Sequence, residues 1–193
     1  MNQLFLDACK LGCSEVVKVL LANPKVDPTV ENNKGIRIAS DIGHTDVVRL
    51  LLEDPRVDPT VDNNKTIQWA SYEGHTEVVR LLLEDPRVDP STDDNIAIQY
   101  ASQEGHAGVV RLLLDDPRVD PTADYNFAIR LSSKNGHADV VRLLLADPRV
   151  EPTVKNNTPI LLAQLGEHAD VVQLLTEHQF RLDGPVYNQN ILT

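Results

Sequence analysis

Residues 74–90 read Gly74-His75-Thr76-Glu77-Val78-Val79-Arg80-Leu81-Leu82-Leu83-Glu84-Asp85-Pro86-Arg87-Val88-Asp89-Pro90. Gly74 can enter the left-handed conformation that ends one helix, and Val78, Val79, Leu82 and Leu83 then form the apolar stripe of a second. Glu77, Arg80 and Glu84 fall on the opposite side at i, i+3 and i+4 spacings. Pro86 stops that helix and biases Asp85 toward extended geometry. Upstream, Ile67 and Ala70 share one face of a shorter helix that begins near Asn64, and Asn64 is placed to cap its first turn. The segment reads helix, turn, helix, loop.

The same reading recurs at a fixed step. His44, His75, His106, His137 and His168 stand 31 residues apart without an insertion. The step carries Val78-Val79 back to Val47-Val48 and Val16-Val17, and forward to Val109-Val110, Val140-Val141 and Val171-Val172. Ten of the twelve prolines fall in the recurring loop, from Pro24 and Pro28 to Pro148 and Pro152, so it is one connection used repeatedly. Asn33, Asn95, Asn126 and Asn157 repeat the position of Asn64. One unit buries too few side chains to offset a backbone entropy of roughly 1–2 kcal/mol per residue. Each unit must bury its faces on its neighbours, which predicts a stack with nearest-neighbour energetics.

Composition narrows the function classes. The chain of 193 residues is 41% apolar, which is enough for a packed core, and carries a net charge of −11. An acidic surface with a pI near 4.9 argues against phosphate-rich partners, so nucleic acid and anionic membrane are excluded. Cys9 and Cys13 cannot form the disulfide framework of a small secreted fold, and no apolar run approaches a membrane span. Cytoplasm or nucleus is the expected location.

Thr158-Pro159-Ile160-Leu161-Leu162-Ala163, with Gly-His followed by Val-Val-x-x-Leu-Leu, resembles the signature of ankyrin repeats. The resemblance covers residues 2 to about 177. It implies an all-α solenoid of about six helix-turn-helix units with short finger loops. The expected units are 1–22, 23–53, 54–84, 85–115, 116–146 and 147–177. Residues 178–193 would form an irregular cap or the start of a truncated seventh unit. A period of 31, where the family usually has roughly 33, places the shortening in the Pro-Arg-Val-Asp-Pro loop. This subtype resembles arrays of protists and large DNA viruses.

No phosphate loop, nucleophile elbow or catalytic carboxylate pair stands out, so neither enzyme activity nor a cofactor is expected. The histidines lie too far apart for one metal ion and read as hydrogen-bonding residues at helix junctions. Arg49, Arg80, Arg111 and Arg142 read as an ion-paired outer surface. Lys25, Arg56, Arg87, Arg118 and Arg149 read as loop residues that pair locally and neutralise helix ends.

The copies differ in the first helix and in the loop before it. By the family resemblance these line a concave face that binds a partner protein. Its positions before the glycine are Asp41-Ile42, Tyr72-Glu73, Gln103-Glu104, Lys134-Asn135 and Gln164-Leu165. Trp69, Tyr72, Tyr100, Tyr125 and Phe127 map to the same side or its edge, as interface anchors do. Trp69 and Tyr100 also occupy a slot filled elsewhere by Ile38, Leu131 and Leu162, so packing is the competing role. Glu31, Asp62, Asp93 and Asp124 make an acidic rim that changes sign at Lys155, which favours a partner segment rich in Lys or Arg. An adaptor fragment that recruits a ubiquitin ligase, and an inhibitor acting by occlusion, stay open as alternatives. A monomer is expected, with end-to-end association available through the uncapped ends.

Overall fold

The computed structural model describes residues 1–152 and 154–183. Among the described residues the chain is all helical, with no strand. The order is α1 (Asn2–Lys10), α2 (Ser14–Leu21), α3 (Val30–Ile42), α4 (Thr45–Glu53), α5 (Val61–Tyr72), α6 (Thr76–Glu84), α7 (Thr92–Gln103), α8 (Ala107–Asp115), α9 (Ala123–Lys134), α10 (Ala138–Ala146), α11 (Val154–Leu165) and α12 (Ala169–Asp183). Odd-numbered helices form one layer and even-numbered helices the other. Successive odd helices approach more closely than successive even ones, so the stack curves with the odd layer inward.

The core follows the period. Val47, Val48 and Leu51 of α4 are fully buried, as are Val78, Val79 and Leu82 of α6 and their equivalents in α8 and α10. Ile36, Ile67, Ile98 and Ile129 fill the same slot in the odd helices. Val26, Val57, Val88, Val119 and Val150 are buried too, so each proline loop is pinned by its valine. A buried valine or isoleucine contributes about 1.5–3 kcal/mol. As expected from Pro86, Asp85 is extended, with φ −83 and ψ 116.

The expected asparagine cap is corrected. Asn33, Asn64, Asn95 and Asn126 each close a run of three left-handed residues: 31–33, 62–64, 93–95 and 124–126, with φ between 47 and 61. The finger is thus one turn of left-handed helix ahead of the right-handed one. Such a turn costs roughly 1–2 kcal/mol per residue for ordinary side chains, and Asn and Asp tolerate it best. In the first three of these turns the asparagine carbonyl does not bond its own helix but reaches the next unit's loop, whereas Asn126 Oδ1 is buried without a partner among the described residues. Asn33 accepts from the Asp58 N–H at 2.9 Å, Asn64 from Asp89 at 3.0 Å and Asn95 from Asp120 at 2.8 Å. These bonds tie the strained turn to its neighbour.

Two further devices join units. Each histidine donates from Nε2 to a main-chain carbonyl of the unit before, as His75 does to Asp41 at 2.9 Å and His106 to Tyr72 at 2.8 Å. Its ring lies against the preceding unit's turn glycine. A Cβ on Gly43 would stand 2.6 Å from His75 Nδ1, so Gly43 is required by this approach as well as by its φ of 89. Loop arginines also reach back. Arg87 pairs with Asp85 and donates to the carbonyls of Val57 at 2.8 Å and Leu52, near the C-terminus of α4, at 3.4 Å. Arg56 and Arg118 repeat the pattern. The helix ends they neutralise belong to the preceding unit.

The two ends differ from the middle. Cys13 and Lys25 stand where later units carry His and Arg. In the last unit Glu167, at φ 59, takes the left-handed position held earlier by glycine. α12 runs on to Asp183, so residues 178–183 of the expected cap are helical, and 184–193 lie outside the described residues.

Candidate partner-binding face

Three of the expected aromatics meet on the inward layer. The Trp69 and Tyr100 rings stack at 6.2 Å with an interplanar angle of 18°. Tyr72 stands edge-on to both, 5.9 Å from Trp69 and 5.5 Å from Tyr100. The period explains the meeting: Trp69 and Tyr100 occupy one slot in successive units, and Tyr72 is a helical neighbour of Trp69 at i+3. Trp69 stays 42% exposed, so its slot no longer serves packing alone. Tyr125 and Phe127 do not join this cluster. Tyr125 sits 63% exposed in the fourth left-handed turn, and Phe127 lies under the Arg130 guanidinium at 5.2 Å.

Beside the cluster, a shallow open groove of ≈ 430 Å³ runs between α3 and α5. Ile38 and Trp69 line its middle, Lys34 and Lys65 its finger end, and Asp41 and Glu73 its turn end, with Arg37 along the wall. Ile42, next to Asp41, is exposed. Lys34, Arg37 and Lys65 were absent from the expected site. Their signal was legible, because Lys65 lies four residues before Trp69 and Lys34 one period earlier.

The expected acidic rim is partly spent within the molecule. Lys34 pairs with Glu31. Asp62 receives Arg37 at 2.8 Å and the Asn32 amide at 2.9 Å. Asp93 accepts from Asn63 and Gln68, neutral donors that leave its charge uncompensated. Asp124 has no side-chain hydrogen bond or ion pair among the described residues. Gln103 donates to Glu104, and the exposed Asn135 spends its amide on the Gln103 carbonyl at 2.9 Å. Lys134 is exposed at the fourth turn. The side chain of Lys155, where the sign was expected to change, lies outside those described. Gln164 and Leu165 are exposed.

Beneath the face, Ser40, Ser71, Ser102 and Ser133 form a buried row whose hydroxyls have no partner among the described residues. Cys9 holds the same slot in the first unit, and burial pushes its thiol up to about 12, which makes it inert.

A family model described as Ankyrin repeats (3 copies) matches residues 4–94 and again 36–126. No curated protein matches the chain. Among solved structures, the ankyrin repeat protein EF0377 superposes with a TM-score of 0.76 at 20% identity, covering 92% of this chain and 98% of its own. An ankyrin repeat domain (ABAYE2397) from Acinetobacter baumannii AYE gives 0.71 at 18% identity, covering 91% and 97%. These likenesses carry the fold. Ankyrin repeats are generally protein–protein interaction modules and typically non-catalytic. With the family model spanning well over half of its length, the chain belongs to the ankyrin-repeat family.

Proposed function

We propose that the chain is a non-catalytic module that binds a partner protein on its inward, concave face, with Trp69, Tyr72 and Tyr100 as the anchor. The observation that carries this reading is the aromatic cluster itself: three rings gathered on the layer where units differ, with Trp69 left 42% exposed in a slot other units fill with Ile or Leu. Large, rigid rings are what interface hot spots use. Asp41, Glu73, Asp93 and Asp124 give the face a negative field that steers a segment containing Lys or Arg. Ile42, Asp62, Gln103, Glu104, Tyr125, Phe127, Lys134 and Asn135 form the surround. Asp62, Gln103 and Asn135 contribute less than their exposure suggests, because internal bonds occupy them. Action in the cytoplasm or nucleus fits the free Cys9 and Cys13, and the 31-residue subtype resembles arrays of protists and large DNA viruses.

Affinity capture on the immobilised full chain, run in parallel with Trp69→Ala and Tyr72→Ala, tests the reading. A partner held by the wild type, weakened by salt and released by both variants is expected. Equal recovery on all three surfaces would overturn it.

A further inference from the structure

We propose that the groove between α3 and α5 takes an extended, dipolar segment of the partner. This segment would carry a Lys or Arg and, three or four residues away, an Asp or Glu, with an apolar side chain between them. The proposal rests on the partner-binding reading and gives that face a direction.

Free charge in the groove is sorted by end. Lys34 is spent on Glu31 and Arg37 on Asp62. Three charges remain: Lys65 at the finger end, and Asp41 and Glu73 at the turn end. None of these three side chains has a hydrogen bond or ion pair among the described residues. Helix stability does not explain the arrangement. Lysine at the start of a helix and carboxylates at its end oppose the helix dipole, which favours the reverse. A uniformly basic segment fits poorly, because the unpaired Lys65 would repel it at the finger end. A uniformly acidic one meets Asp41 and Glu73.

Length sets the spacing. From Lys65 to Glu73 is eight residues of helix, about 12 Å at roughly 1.5 Å per residue. An extended peptide advances about 3.3 Å per residue and covers this in three to four. Between the charged ends, Ile38 and the Trp69 ring offer an apolar surface. Contact with Tyr72 and Tyr100 holds that ring in place. The groove is open along its length, which suits a chain passing through more than an enclosed small molecule. The partner's base therefore lies toward the glycine turn and its acid toward the finger.

A displayed library of random twelve-residue peptides, selected on the full chain, tests this. Enriched peptides are synthesised and titrated against wild type, Trp69→Ala, Glu73→Lys, Lys65→Glu and the Lys65→Glu/Glu73→Lys double variant, each checked for helical content. Enriched sequences should pair a basic with an acidic residue three or four positions apart around an apolar one. Trp69→Ala should weaken binding tenfold or more, each charge reversal several-fold, and the double variant should prefer the peptide with its two charges exchanged. Peptides sensitive to Trp69→Ala but indifferent to both reversals would overturn the dipolar assignment and leave the binding face standing. Peptides indifferent to Trp69→Ala as well would overturn both, and failure to enrich any peptide would overturn the groove as a peptide site.

Discussion

Among the described residues the even layer and the odd layer contain equal numbers of helices but follow opposite rules. In the even layer and its proline loops, Val-Val, Leu-Leu, the histidine and the arginine recur almost unchanged, and their polar groups are satisfied across unit boundaries. In the odd layer one slot runs Ile38, Trp69, Tyr100, Leu131, and another runs Asp41, Tyr72, Gln103, Lys134. The two rules coexist because the histidine and arginine bonds end on main-chain carbonyls. His106 grips the carbonyl of Tyr72, not its ring, so the side chain at that position can change without loosening the stack. Sequence varies from unit to unit on side chains that these histidine joints do not use.

The contrast can be broken at the joints first. Gly74→Val forces a β-branched residue to a φ of 77 and drives its Cβ into the His106 ring, and should cost more than about 3 kcal/mol in urea unfolding. Glu167→Gly, at the one such turn where glycine is already replaced, should leave stability unchanged or raise it. A loss under about 1 kcal/mol for Gly74→Val would remove the joint from this account. Arg87→Ala deletes bonds to two carbonyls of the preceding unit and should cost about 2 kcal/mol, whereas Arg80→Ala on the outer face should stay within about 0.5 kcal/mol. Equal effects would erase the distinction between joint and surface.

On the odd layer the pattern should invert. Trp69→Ala should cost partner binding about 2 kcal/mol, near thirtyfold, with a smaller change in unfolding free energy. Titration with acid sharpens the joints again. Hydrogen bonds from Arg56, Arg87, Arg118 and Arg149 hold Asp54, Asp85, Asp116 and Asp147 below the usual carboxylate range. Their folded-state values lie beneath the unfolded one of about 3.9, so their stabilisation is complete at neutral pH and is lost as pH falls through the folded values. Urea midpoints should be level near neutrality and drop below about pH 4, less steeply in Asp85→Asn. The smallest expected effect is a gain: Ser71→Ala removes a buried hydroxyl without a partner and should stabilise by about 1 kcal/mol.

Much of the fold was legible because its signals are local. Gly74, Pro86 and the Val-Val-x-x-Leu-Leu stripe each act within one helix length, and the fixed period places every copy. The asparagine joint was misread, and the reach of the arginine joint missed beyond its local ion pair, for the converse reason. Asn64 bonds 25 residues ahead and Arg87 reaches 30 and 35 residues back, so neither looks different from a cap or a local ion pair in its own segment. The left-handed turns left a trace, triplets such as Asp62-Asn63-Asn64, but without a glycine to announce positive φ. For the candidate site, slot equivalence brought Trp69, Tyr72 and Tyr100 together correctly. It could not foresee that Arg37 would neutralise Asp62, or that Phe127 would turn to Arg130.

Glu167, Cys13 and Lys25 give the middle and the ends different capacities for change. Each of the third, fourth and fifth units carries both a rearward His and Arg and a forward glycine socket, so an in-frame gain or loss of 31 residues among these units would leave every new boundary with matching halves. The array can thus be lengthened or shortened from within by whole-unit duplication or deletion without repair. Joining the same kind of unit ahead of Cys13 or behind Glu167 would first require new residues at the seam. Length in such a protein is adjustable at the centre, where the proposed partner-binding face lies.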